Sequence, residues 1–186
     1  MTTDVELLSE LITDIYRDLH PIIQTCTSEE LNWQPGVEAN SIGVTLWHIA
    51  RGLDLLGTRV LQSKSDEDEL WHTNGWRERT GYDPRGIGYR GWGVVTGYTW
   101  DEVQLIPKMR ADEILVYLNE VCSMVSKQVH NFNSETVRQP ATSLLDGKLT
   151  YYQWIKEFYK GFQAHVGEII AIQERIKKET LATDQG

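Results

Sequence analysis

The clearest indication of the fold of this chain is the stretch Asn40-Ser-Ile-Gly-Val-Thr-Leu-Trp-His-Ile-Ala-Arg51. Asn40 or Ser41 suits the N-cap of a helix, because a short side-chain oxygen there accepts a hydrogen bond from a free backbone N–H of the first turn. Apolar residues then recur at alternating steps of four and three, the spacing of one face of an amphipathic helix. These residues are Ile42, Leu46, Ile49, Leu53, Leu56 and Val60. The stretch therefore predicts a long helix with one buried face.

His48 lies one position off this apolar face and is the first candidate functional residue. Its neighbours one helical turn away are Thr45 and Gly52, and both are small. We therefore expect room beside the imidazole for a metal ion, a water molecule or a ligand.

Three further segments show the same helical spacing. The first helix begins at Thr3 or Asp4, and Pro21 predicts a kink or a stop near its end. Pro107 precedes the third helix, and Thr150 caps the last one. The apolar positions of the three segments are Val5, Leu8, Ile12, Ile15, Leu19 and Ile22, then Ile114, Leu118, Val121, Val125 and Phe132, then Ile155, Phe158, Phe162, Ile169, Ile172 and Ile176.

Four long amphipathic helices without a convincing strand predict an all-α four-helix bundle, and we interpret residues 1–186 as a single domain. The segment 71–97, between the second and third helices, is rich in tryptophan, tyrosine and glycine. Because exposed aromatic rings are costly in water, we expect an ordered crossover loop packed on the bundle. Thr27 and Thr99 begin two further capping boxes, and Asp146-Gly147 predicts a turn.

The composition excludes several functional classes. The net charge is −9 and the isoelectric point about 5.0, which disfavours a nucleic-acid binder or a protein of anionic membrane surfaces. The N-terminus lacks the pattern that predicts a signal peptide, and no apolar run is long enough to predict a membrane span. Two cysteines, Cys26 and Cys122, make no disulfide framework. We therefore expect a soluble cytoplasmic protein.

The arginines of the aromatic loop leave two interpretations open. Arg77, Arg79, Arg85 and Arg90 have the chemistry to receive a carboxylate or a phosphate from a ligand. Pairing with the abundant acidic residues of the surface is the interpretation that we favour.

His165 is the second candidate, because every other member of its stripe in the last helix is apolar. Gly161, one turn earlier, leaves a gap beside it, so His48 and His165 from two helices are expected to converge on one pocket in the bundle core. Neutral imidazoles suit Zn, Ni or Fe, and Glu168 is a candidate third ligand or general base. Two buried, hydrogen-bonded histidines without a metal remain the alternative.

Three motifs resemble those of the DinB-like proteins. Leu31-Asn-Trp-Gln-Pro-Gly36, followed by Asn40 to His48, is similar to the entry to the second helix of that family. His165-Val-Gly-Glu-Ile169 is similar to its last-helix motif. The stretch Gly91-Trp-Gly-Val-Val-Thr-Gly-Tyr-Thr-Trp-Asp-Glu-Val103 resembles a loop and helix start of some members. The likeness spans nearly the whole chain and agrees in helix order.

This resemblance implies a four-helix bundle, often a homodimer, with a divalent metal held by three histidines. His48 matches the first histidine and His165 the last, whereas the middle one falls on Gly161, which has no side chain. The superfamily includes mycothiol-dependent maleylpyruvate isomerase and bacillithiol S-transferases, so a low-molecular-weight thiol is the cofactor that the resemblance suggests.

Three functional hypotheses follow from the sequence. The first is an enzyme in which a divalent metal on His48 and His165, helped by Glu168 or water, serves thiol transfer or hydrolysis of a small-molecule substrate. The second is a small-molecule-binding protein with a degenerate, non-catalytic metal site. The third is a structural or assembly role through dimerisation.

Overall fold

The structure is a computed structural model that describes residues 3–141, residue 144 and residues 149–183. Over these residues the chain is helical, and its only β-type pairing is one isolated antiparallel bridge between Pro140 and Thr150. The prediction of an all-α four-helix bundle is confirmed. The predicted turn at Asp146-Gly147 lies outside the described residues.

The four long helices are those that the sequence predicts, and short helices lie between them. In chain order the α-helices are α1 (Asp4–Thr25), α2 (Ser28–Asn32), α3 (Ile42–Leu55), α4 (Leu70–Thr73), α5 (Trp76–Thr80), α6 (Trp100–Gln104), α7 (Ala111–His130) and α8 (Tyr151–Thr183). Helices α1, α3, α7 and α8 enclose the hydrophobic core. None of the described helices is both long enough and apolar enough to cross a membrane.

The helix starts follow the predicted caps. The side chains of Thr3, Thr27, Ser41 and Thr99 each accept a hydrogen bond from a backbone N–H of the helix that follows. Of the kink or stop predicted near Pro21, the stop is wrong, because α1 continues to Thr25. Proline removes one backbone hydrogen bond from a helix. Because α1 continues past Pro21, Ile23 is completely buried in the core. We infer that this burial offsets the lost backbone hydrogen bond.

The apolar face of α3 carries the core as predicted. All six residues of the predicted stripe, from Ile42 to Val60, are fully buried. A π-helical turn, Leu56–Leu61, extends the helix and keeps Leu56 and Val60 directed into the core. This rigid helix fixes the position of His48.

The aromatic segment between α3 and α7 is ordered. Trp71 and Trp76 are buried, with their rings stacked at a centroid distance of 6.4 Å, and Trp47 of α3 meets Trp71 edge to face at 5.7 Å. Aromatic contacts of this kind stabilise beyond the burial of area alone. They hold the segment against the helix that carries His48.

Candidate functional site

His48 lies on α3 and contacts the segment before α6. Its Nδ1 donates a hydrogen bond to the carbonyl oxygen of Val94. Burial lowers the pKa of His48 to about 4, and nearby His165 acts in the same direction, although the Val94 bond and Glu168 oppose the shift. His48 is therefore neutral at physiological pH, because its charged form is poorly solvated there.

His165 lies on α8 and faces His48. The two ring centroids are 4.8 Å apart, and the ring planes are nearly perpendicular at 88°. Nδ1 of His165 lies 2.9 Å from Oε2 of Glu168, one helical turn further along. The expected convergence of the two histidines is thus present, but not deep in the bundle core, because the His165 side chain is 33% exposed at a pocket mouth.

The partners of the two Nδ1 atoms assign the tautomers. A carbonyl oxygen and an ionised carboxylate only accept hydrogen bonds, so both Nδ1 atoms donate. In a neutral imidazole the other nitrogen, Nε2, then carries a lone pair. Two neighbouring imidazoles, each with Nε2 left for another partner in the neutral form, suit a cation or a hydrogen-bond donor.

The gap expected beside Gly52 is filled, which corrects the sequence interpretation. A Cβ placed on Gly52 would lie 2.6 Å from Cζ of Phe162, because the Phe162 ring from α8 packs directly on this glycine. Thr45 is buried and donates its hydroxyl to the carbonyl oxygen of Ser41. The gap at Gly161 is present: a Cβ there would have no atom within 4 Å.

A pocket of about 370 Å³ opens at the histidine pair. Its described lining is mostly apolar and includes His48, Gly52, Trp92, Val94, Thr96, Leu149, Trp154, Glu157, Phe158, Gly161, Phe162 and His165. A volume of this size is typical of small-molecule sites. The site therefore combines two imidazoles with a cleft for an organic ligand.

The donor set fits a metal only in part. The imidazoles of His48 and His165 suit a divalent cation, whereas Gly161 offers no side-chain donor. Over residues 3–141, 144 and 149–183, no group of three or more histidine, cysteine, aspartate or glutamate side chains is arranged to hold an ion. Glu168 contacts Nδ1 of His165. A carboxylate in this position commonly orients a histidine that binds a metal through its other ring nitrogen.

Comparison with known proteins agrees with this architecture. The family model of the DinB superfamily matches residues 11–169 of the chain. The chain belongs to the DinB superfamily. The crystal structure of a conserved protein from Enterococcus faecalis has a similar fold, with a TM-score of 0.69 and 17% identity, over 92% of this chain and 96% of that one. No curated protein sequence matches the chain.

Within this DinB-superfamily protein, the sequence interpretation missed a buried charge cluster that supports His48. Arg51 is fully buried, and its guanidinium lies 2.5 Å from Glu69 and 3.2 Å from Asp54. Burial alone would lower the pKa of Arg51, but Tyr117, Glu69 and Asp54 outweigh it and raise the pKa. Arg51 itself is the signal that could have revealed this cluster, because it is a basic residue in an apolar helix, three positions before Asp54.

Arg51 also bonds the segment that contacts His48. Its Nε donates to the carbonyl oxygen of Gly93 at 3.2 Å, and the next residue, Val94, accepts the bond from His48. Val95 follows with φ of +71°, a conformation that a β-branched residue rarely adopts. In this DinB-superfamily member, a buried arginine and a strained turn thus hold the acceptor of His48.

Arg77 and Arg85 pair with acidic side chains, as favoured. Arg85 lies 2.6 Å from Asp83 and 3.7 Å from Glu67, and Arg77 lies 3.4 Å from Asp83. Arg79 and Arg90 bond backbone carbonyls and stack on rings, Arg79 on Trp76 at 4.1 Å and Arg90 on Tyr89 at 5.6 Å. Intramolecular contacts therefore account for these four arginines of the DinB-superfamily fold.

Proposed function

We propose that this protein is a divalent-metal-dependent enzyme that acts on a small molecule by thiol transfer or hydrolysis. The observation that carries the proposal is the edge-to-face contact of His48 and His165, whose ring centroids are 4.8 Å apart. Each Nδ1 already has a hydrogen-bond acceptor, which leaves Nε2 as the nitrogen that a metal would use. Neutral imidazoles suit a divalent cation such as Zn, Ni or Fe.

The roles in this proposal follow from the contacts. His48 and His165 would hold the metal, and Glu168 would keep the His165 ring in place through Nδ1. A bound divalent cation supplies Lewis acidity, which lowers the pKa of a thiol or a water molecule. The space at Gly161 leaves room beside the histidines for a substrate or a low-molecular-weight thiol.

Metal analysis of the purified protein tests this function. We expect close to one divalent ion per chain in the wild type and far less in His48→Ala and His165→Ala. His20→Ala is the matched control, because His20 is a histidine of α1 that packs beside Tyr16. Stoichiometric metal that survives both substitutions would overturn the assignment of the ligands.

A second candidate, favoured by the missing side chain at residue 161, is a small-molecule-binding protein with a degenerate metal site. Gly161→His discriminates between the two, because it restores a donor one turn before His165. Strong metal uptake only after this substitution would identify the natural site as vestigial. Uptake by the wild type as well would favour the enzyme.

The resemblance to DinB-like proteins also leads us to propose a cytoplasmic homodimer. One chain has a mass of 21.4 kDa. Light scattering on the eluting protein should therefore give twice the mass of one chain. A mass equal to one chain at micromolar concentration would reject the dimer, and with it the assembly role.

A further inference from the structure

The wall of the pocket is a set of aromatic rings. Trp154 and Phe158 lie 5.8 Å apart between centroids, Phe158 and Phe162 lie 5.6 Å apart, and Trp92 adds a fourth ring. Rings in these arrangements offer edges and faces to a flat apolar molecule. An apolar cavity of about 150 Å³ holds one benzene ring, so the 370 Å³ here suits a molecule of about two fused rings.

The polar groups at the pocket select the charge of the ligand. Because each Nδ1 lies against a protein acceptor, Nε2 of a neutral imidazole is the nitrogen left to accept a hydrogen bond, which favours a ligand with an O–H or S–H group. Glu157 lines the pocket, and Glu168 lies against His165. Two carboxylates near the histidines disfavour an anionic ligand, since like charges repel.

Gly161 supplies the space in which such a ligand would lie. Glu157 and His165 are one turn before and one turn after it on the same face of α8, so Gly161 forms the floor between them. A Cβ at this position meets nothing within 4 Å. A larger side chain would project into the pocket and occupy the ligand space.

We propose that the pocket binds an uncharged aromatic molecule that carries a hydroxyl or thiol group, with its ring over Gly161 and its donor on the two histidines. This inference rests on the proposed function only in using the same site. It does not require the metal, because lone pairs on His48 and His165 accept a proton donor when no cation is bound.

Calorimetric titration of the chelator-treated protein with 2-naphthol and 2-naphthoate tests the proposal. The two probes share a ring system, but at pH 7 only the naphthoate is charged. We expect 2-naphthol to bind at least roughly tenfold more tightly than 2-naphthoate. His165→Phe keeps a ring but removes the lone pair, so it should weaken naphthol binding severalfold.

Two glycines of one helix provide a matched pair of variants. Gly161 and Gly167 both lie in α8, and a Cβ has no atom within 4 Å at either position, but only Gly161 lines the pocket. Gly161→Leu should weaken 2-naphthol binding at least roughly tenfold, whereas Gly167→Leu should leave it unchanged. Circular dichroism checks that both variants fold.

Three results would overturn the proposal: no binding of 2-naphthol to the wild type, equal or tighter binding of 2-naphthoate, or equal effects of the two leucine variants. Zinc binding measured without naphthol keeps the two proposals separate. Zinc uptake without naphthol binding would overturn this inference alone. Naphthol binding without zinc uptake would overturn the metal-dependent function alone.

Discussion

The imidazole rings of His48 and His165 meet edge to face with their centroids 4.8 Å apart, although the residues lie on α3 and α8. Each Nδ1 already has a partner, the Val94 carbonyl for His48 and the Glu168 carboxylate for His165. Val94 is part of the described pocket wall, whereas Glu168 is not. One partner inside the wall and one outside it thus orient the two rings. This arrangement leads to the predictions that follow.

Stability of the chelator-treated protein should fall on mild acidification because of His48. Its pKa in the folded state is about 4, against 6.5 as the ordinary value, so the unfolded chain takes up the proton first. Stability that is present above pH 6.5 is lost as the pH falls towards 4. The contribution is about 1 kcal/mol between pH 7.5 and pH 5.5 and roughly 3 kcal/mol by pH 4.

Urea unfolding of the wild type and His48→Asn at several pH values measures this difference. Asparagine keeps an N–H for the Val94 carbonyl but does not titrate. The wild type should lose more stability than the variant between pH 7.5 and pH 5.5. Parallel pH profiles would mean that His48 is not held in the neutral form.

Loss of Glu168 should weaken metal binding through His165. Glu168→Ala removes the acceptor at 2.9 Å from Nδ1, which frees the ring to rotate and to change tautomer. Partners of this kind typically contribute about 10–100-fold to metal affinity. Zinc titration calorimetry measures the change. Glu174→Ala is the control, because Glu174 pairs with Lys177 on the same helix, and an equal effect of both variants would contradict the role of Glu168.

Removal of Arg51 should destabilise the whole protein. Arg51→Met removes the cation that pairs with Asp54 and leaves Glu69 with Arg59 alone. Breaking a buried pair in this way costs about 3–5 kcal/mol. Arg77→Met breaks an exposed pair with Asp83 instead and should cost less than about 1 kcal/mol. Urea unfolding compares the two. If both variants lose the same free energy of unfolding within error, burial of the Arg51 cluster contributes nothing to stability.

Helical periodicity was sufficient to predict the bundle and the convergence of the two histidines. Spacing fixes the face of a helix on which a residue lies. It placed His165 on the apolar stripe of the last helix and His48 one position from the stripe of the second, each next to a glycine one turn away. The same argument failed at Gly52, where the local spacing predicted a gap. Phe162 from another helix occupies it, and a local pattern contains no information about which side chain a neighbouring helix contributes.

The contacts that hold His48 in place could not be predicted from the sequence, for a related reason. The contacts of Arg51 with Glu69 and with the Gly93 carbonyl join residues 18 and 42 positions apart. Such contacts depend on the path of the aromatic segment, which has no periodicity. The positive φ of Val95 is likewise imposed by its surroundings, since valine does not favour it.

Alanine in place of two glycines should have opposite effects on stability. Gly52→Ala places a Cβ 2.6 Å from Cζ of the buried Phe162 ring, and overpacking of this kind costs about 1–3 kcal/mol. Gly167→Ala meets no atom within 4 Å and should stabilise α8 by about 0.5–1 kcal/mol, because alanine favours the helix. Thermal unfolding measures both. A stabilising Gly52→Ala would contradict the packing of Phe162 against α3.

The tautomers and metal response of the two histidines test the central claim most directly. Nitrogen-15 spectra of histidine-labelled, chelator-treated protein at pH 7.5 report which ring nitrogen carries the proton. We predict protonated Nδ1 and unprotonated Nε2 in both His48 and His165, assigned by His48→Asn and His165→Phe, and a shift of both Nε2 signals on addition of one equivalent of zinc. A protonated Nε2 in either residue, or zinc-dependent shifts in other histidines alone, would contradict the account.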